Sequence, residues 1–175
     1  MYGLASYRLA ALEGRVPVLG AALTAFLGSI AVLPPSIQVV LFFGLPVALY
    51  WFVRTTVNHA RSLEDVLRRI EEIECSINEL TCEPLMTFQS SHPSRGRAIG
   101  GRVGTGTVHS TLTAAAMLLV ACNYLLEVER TVHIGIAVGY ALFTILVFIL
   151  CVTEVVGLAR YRYRKSSAIE HGCQQ

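Results

Sequence analysis

The chain has 175 residues, of which 54% are hydrophobic and only 15% charged, against roughly 45–50% and 25% in soluble domains. That imbalance excludes an ordinary water-soluble domain, whereas the net charge of +2 says little as a sum. The apolar excess is concentrated in four blocks, residues 16–33, 37–53, 110–126 and 133–159. They contain no Lys, Arg or Asp, and Glu154 is their one acidic residue. At 1.5 Å per residue, about 17–25 helical residues cross a hydrocarbon core of about 30 Å. The sequence therefore predicts an all-α membrane protein: four transmembrane helices in two hairpins, 16–53 and 109–159, plus one amphipathic cytoplasmic helix.

Residues 1–15 place Tyr2, Leu4, Tyr7 and Leu12 around Arg8, a pattern suited to a short interfacial helix. Arg8 and Arg15 ahead of an apolar run resemble a signal peptide, but the run is long and ends in Pro34-Pro35 without a convincing small-x-small cleavage site, so an uncleaved span is expected. In that span Gly20, Thr24 and Gly28 recur every fourth residue, a face that permits close helix approach. Pro34-Pro35-Ser36 makes the first turn, because proline cannot continue a helix. Pro46 should kink the second span and free a carbonyl that neighbouring helices or water must satisfy. Tyr50, Trp51 and Phe52 beside Arg54 form the aromatic and basic signature of a membrane interface.

Residues 54–108 read as a cytoplasmic segment holding a helix at 62–80 and a Gly/Arg-rich loop. Leu63, Val66, Ile70, Ile73, Ile77 and Leu80 are spaced as a heptad seam. Ser62 and Asp65 suit a capping box, although the helix can equally run on from the second span. Glu64 with Arg68 and Asp65 with Arg69 are favourable i,i+4 pairs. The seam either packs on its own chain and the membrane surface, or binds a cytoplasmic partner or a second copy as a coiled coil. Glu74-x-x-Ile77-Asn78-x-Leu80, followed by Glu83-Pro84-Leu85, resembles small bacterial four-helix membrane proteins that carry such a cytosolic helix between hairpins. The resemblance covers this helix and the overall layout, and it implies no activity.

The Gly/Arg stretch, 95–107, has Gly96 and Gly101 at phosphate-loop spacing, but Arg102-Val103 stand where Lys-Ser/Thr would be required. A flexible loop is expected, with Arg95, Arg97 and Arg102 near anionic lipid headgroups. The tail 160–175 opens with Arg160, Arg162, Arg164 and Lys165 interleaved with tyrosines, which directly after a span is an interfacial anchor and not a nucleic-acid site.

Two polar stripes run inside the second hairpin. Thr113, Asn123 and Glu127 share one face of the third span, and His133, Tyr140, Thr144, Cys151 and Glu154 share one face of the fourth. Polar groups in hydrocarbon turn inward, either to bond neighbouring helices or to border water. Gly135 and Gly139 form a GxxxG contact face.

All basic residues except Arg130 fall before the first block, between the second and third, or after the fourth. Positive residues remain on the inner side, so the expected topology is a multi-pass inner-membrane protein with both termini inside. Cys75, Cys82 and Cys173 would then be cytoplasmic and reduced. With His92 the first two lack paired zinc-ligand spacing, so no metal is expected. There is no catalytic constellation and no cofactor motif. The expected function is a non-enzymatic homo-oligomer bordering a channel for ions or small solutes. The alternative is a membrane-anchored interaction protein whose heptad helix binds a partner.

Overall fold

The computed structural model describes residues 2–30, 32, 34–85, 101–128 and 134–161. Among them every regular element is helical: α1 (Tyr2–Glu13), α2 (Arg15–Ile30), α3 (Pro35–Thr81), α4 (Gly101–Val128) and α5 (Ile134–Ala159). Three helices are long and apolar enough to cross a membrane, within α3, α4 and α5. The fourth expected span is α2. It ends at Ile30 after 16 residues, about 24 Å and short of a 30 Å hydrocarbon core.

The largest difference from the sequence expectation is α3, which is continuous for 47 residues, or about 70 Å. Pro34 is extended and Pro35 opens the helix, where a missing N–H costs nothing. Nothing then breaks the helix between Val53 and Ser62. Thr55 and Thr56 turn their hydroxyls back onto the Phe52 carbonyl, at 3.0 and 2.8 Å, which keeps them inside the helix. Ser62 is therefore no capping residue, and the expected 62–80 helix is the distal half of α3. The helix stops at Cys82, whose left-handed φ of 53° lets its N–H reach the Glu79 carbonyl, with Pro84 beyond. A second correction concerns the Gly/Arg stretch. Residues 101–109 form the first turns of α4 and are not loop.

Helices α3 and α5 run parallel. Contacts pair Phe42 with Tyr140, Tyr50 with Glu154, and Asp65 with Tyr161, so position rises together on both. Helix α4 returns antiparallel beside α5, and α2 packs on α4. The core lies where these helices meet. Phe42, Leu49, Val53, Val57 and Ala60 form one buried face of α3, against Leu118 and Cys122 of α4 and Val147 and Cys151 of α5. The outside is also apolar: Val47 and Trp51, Met117 and Val120, and Leu142, Ile145 and Ile149 are all exposed. A polar exterior would be needed in water, and a bilayer covers such a surface without one.

The distal half of α3 is covered only in part. Leu63 and Ile70 are buried, and α1 packs along α3 with Leu12 fully enclosed. Further on, Ile73 is 39% and Leu80 is 86% exposed. Ion pairs lace this half: Arg68 bonds Glu64 at 2.8 Å and Glu71 at 3.0 Å, and Arg69 bonds Glu72 at 3.3 Å. The Asp65–Arg69 pair expected from spacing is not formed. Asp65 instead accepts a 2.6 Å bond from the Tyr161 hydroxyl.

If α3 is one rigid rod, spin labels at Asn58→Cys and Leu80→Cys, in a background without other cysteines, will report one narrow distance. The backbone separation is about 33 Å. A broad or bimodal distribution would show a joint between the two halves.

Candidate functional site: polar contacts along the α3–α5 seam

Proline at 46 has no N–H to give the carbonyl four residues back, which belongs to Phe42. The Tyr140 hydroxyl donates to that carbonyl at 3.0 Å. Both residues are buried, and the Tyr140 ring meets Phe42 and Phe43 edge-on, with centroids 6.1 and 5.8 Å away. In hydrocarbon an unbonded carbonyl costs several kcal/mol. Tyr140 thus repairs the defect that Pro46 creates, and Cys122 of α4 adds a thiol contact to the same side chain.

Asn123 and Thr144 find partners in the same way. Asn123 donates its amide to the Thr144 hydroxyl at 2.9 Å and to the Leu119 carbonyl at 2.8 Å. Thr144 in turn donates to Ala141 at 2.9 Å. Thr113 is exposed, away from this group. Glu127 belongs to the last turn of α4, but its side chain, like all of His133, lies outside the described residues. The structure therefore brings Asn123, Tyr140 and Thr144 together inside the bundle and leaves Thr113 apart.

Glu154 lies nearer the other end of α5. Its carboxylate faces Arg54 Nε at 3.8 Å, Arg61 Nη2 at 3.9 Å and the Tyr50 hydroxyl at 3.4 Å. Arg61 also reaches Asn58 at 3.5 Å and packs over Gly157, where an added Cβ would sit 3.4 Å from its Nη2. Arg160, six residues after Glu154, is exposed and takes no part in this cluster among the described contacts. Sequence reading missed Tyr50, Arg54 and Arg61 as partners of Glu154, because their alignment depends on α3 running unbroken and parallel to α5. The available signal was their spacing: Tyr50, Arg54 and Arg61 step by 4 and 7 along one helical face.

On the opposite face of α3, Arg15 donates to Thr55 at 2.8 Å and Thr56 at 3.2 Å, and lies 5.5 Å from the Phe52 ring centroid. This ties the start of α2 to the middle of α3. Among the expected headgroup ligands, Arg95, Arg97, Arg162, Arg164 and Lys165 lie outside the described residues, and Arg102 is described only as backbone of α4. Cys75, Cys82, Cys122 and Cys151 are free thiols. Among the described residues no three His, Cys, Asp or Glu side chains gather as metal ligands. No family model, curated protein or solved structure matches the chain.

Two outcomes test the seam. Tyr140→Phe should cost about 0.5–1.5 kcal/mol in a bilayer or detergent unfolding measurement. It should cost clearly less in a Pro46→Ala background, where the restored N–H bonds Phe42. Equal costs in both backgrounds would dissociate Tyr140 from the proline. At the seam's far end, the bond to Asp65, followed by burial, pushes the Tyr161 phenol up to about 12. A phenol ordinarily ionises near 10. The contact is therefore fully present below about pH 10 and lost as pH rises through about 12. An ultraviolet titration should lose one phenol ionising near pH 12 on Tyr161→Phe.

Proposed function

We propose that this is a non-enzymatic membrane protein whose helical bundle anchors a rigid stalk, residues 54–81 of α3, as a docking surface for a protein partner. The carrying observation is the unbroken course of α3. It continues about 40 Å past Arg54 and ends in the uncovered apolar side chains of Ile73 and Leu80, with exposed Leu85 just beyond its end. A short flexible helix would lose most of its docking energy to ordering, and a continuous rod loses little.

In this reading α2 is a fourth, short crossing packed on α4, and the stalk, both termini and the Gly/Arg segment face the cytoplasm. The distribution of arginines supports that orientation, and the parallel course of α3 and α5 suits an up-and-down order of four crossings. The resemblance of the 74–85 motif to small bacterial four-helix membrane proteins points to an inner membrane. A conducting homo-oligomer lined by Asn123, Thr144 and Glu154 receives less support. Those three groups already have interhelical partners, which leaves them less free to coordinate a permeant.

A photo-crosslinker at Leu80 tests the stalk. A discrete partner adduct is expected, and Ile73→Asp should reduce it at least about tenfold, since placing a charge in an apolar contact costs 1.4 kcal/mol or more. Membrane insertion should be unchanged. No adduct beyond that from the outward-facing Ile145 would remove the proposal. Ion flux in liposomes abolished by Glu154→Ala would replace it with the conducting reading.

A further inference from the structure

The groove that α3 and α5 leave on the side away from α4 has an unusual end. On α3, Val47, Trp51, Arg54 and Asn58 are spaced 4, 3 and 4 and all are exposed. On α5, Leu146, Leu150, Thr153 and Gly157 repeat that spacing, with Leu146, Leu150 and Thr153 exposed. Because the helices are parallel and offset by about 100 positions, these two rows border one furrow. Its length is apolar: Val47 and Trp51 are 56% and 64% exposed on one wall, Leu146 and Leu150 55% and 40% on the other.

The furrow ends in the Arg54–Arg61–Glu154 cluster, which carries two positive charges and one negative. The cluster is loosely made. Its two charge contacts, at 3.8 and 3.9 Å, exceed hydrogen-bond length. Arg61 Nε is buried with no hydrogen-bond partner among the described residues, and the Arg54 side chain is 50% exposed. Guanidinium groups prefer planar, two-point contact with oxyanions, and here two of them share one carboxylate at long range. Donors therefore remain unfilled where the furrow reaches the membrane surface.

We infer that this furrow is a binding site for an anionic phospholipid, with an acyl chain between Trp51 and Leu150 and its phosphate bridging Arg54 and Arg61. The charge excess and the unfilled guanidinium N–H groups select the phosphate, and the apolar walls above them select a chain attached to it. A free phosphate would use only the end of the site. A helix from a second copy would fill the walls but bring no anion to the arginines. The inference rests on the membrane placement in the functional proposal, but not on the stalk's partner.

The chain's only tryptophan, Trp51, lies in the furrow and serves as the probe. Full-length protein is reconstituted in phosphatidylcholine vesicles containing a minor share of phosphatidylglycerol, with brominated acyl chains on one lipid or the other. Quenching per brominated molecule should be greater for phosphatidylglycerol by roughly fivefold, the enrichment expected for one net basic charge near the surface. Arg54→Gln should abolish the preference, Glu154→Gln should increase it, and Arg69→Gln, far along α3, should leave it intact. Because Glu154→Gln acts in the opposite direction, a misfolded Arg54→Gln protein could not by itself produce the full pattern. Equal quenching by both lipids, or a preference that survives Arg54→Gln, overturns the inference. Loss of the preference on adding inorganic phosphate at constant ionic strength would assign the end site to a free anion. Weak quenching by both lipids, together with a dimer in detergent, would assign the furrow to a second copy. No quenching by either lipid would overturn the membrane placement itself.

Discussion

A backbone carbonyl without a donor costs several kcal/mol in hydrocarbon, and Pro46 creates one at Phe42. The position of its remedy determines much of the bundle. With the Tyr140 hydroxyl bonded to Phe42, α5 has one register against α3. Fourteen residues later, about 21 Å along the axis, Glu154 arrives beside Tyr50, Arg54 and Arg61. Seven residues further, Tyr161 meets Asp65. Sliding α5 by one turn would strand the Phe42 carbonyl and separate both lower contacts, so the three contacts support a single alignment.

The lower contacts differ in character from the upper one because they lie nearer water. A carboxylate at the centre of a membrane helix costs about 2.5–3.5 kcal/mol on insertion scales. Glu154 avoids that cost by its place near the end of α5 and by two guanidinium neighbours. The contact distances are long, so its neutralisation is mainly coulombic. That suffices to hold α5 against α3, and it leaves the arginine N–H groups incompletely used. Arg15 shows the contrasting case: its Nη1 reaches two threonine hydroxyls within 3.2 Å, at hydrogen-bond length, and the guanidinium lies by the Phe52 ring.

The extent to which this could be read from sequence follows the range of the interactions. Helices α3, α4 and α5 as apolar spans were legible from block length alone, as was the proline turn before α3. The need to satisfy a carbonyl freed by Pro46 was also legible, but its donor was not, because Tyr140 lies 94 positions away. The length of α3 was ambiguous for a local reason. Ser62 and Asp65 look like a helix start, and only the absence of any Gly or Pro between Val53 and Ser62 argued against one. Asp65–Arg69 failed although its spacing was right, since a tyrosine from α5 competes for the same carboxylate. Rules for i,i+4 pairs describe isolated helices, and a partner from another element overrides them. Residues 101–109 were misread because four glycines within 96–104 suggest a loop, whereas α4 starts at the third of them and the cost of its glycines is spread over a 28-residue helix.

The intramembrane polar residues and the stalk bear on function in opposite directions. A pathway needs polar groups that can exchange partners with a permeant, whereas Asn123 bonds Thr144 between α4 and α5, Tyr140 bonds Phe42 between α5 and α3, and both contacts rigidify the bundle. That rigidity is what a lever-like extension requires. Movement at the membrane end of α3 would be carried without a joint to Leu80, because the helix has no break at the point where it leaves the apolar bundle. The Arg54–Arg61–Glu154 cluster lies at this point, between bundle and stalk. Any oxyanion that draws Arg54 or Arg61 from Glu154 acts on both the α3–α5 contact and the base of the rod. The longest ion pairs among the described residues thus lie at the base of the rod, and if both proposals hold, lipid bound there would act on the surface offered by the stalk.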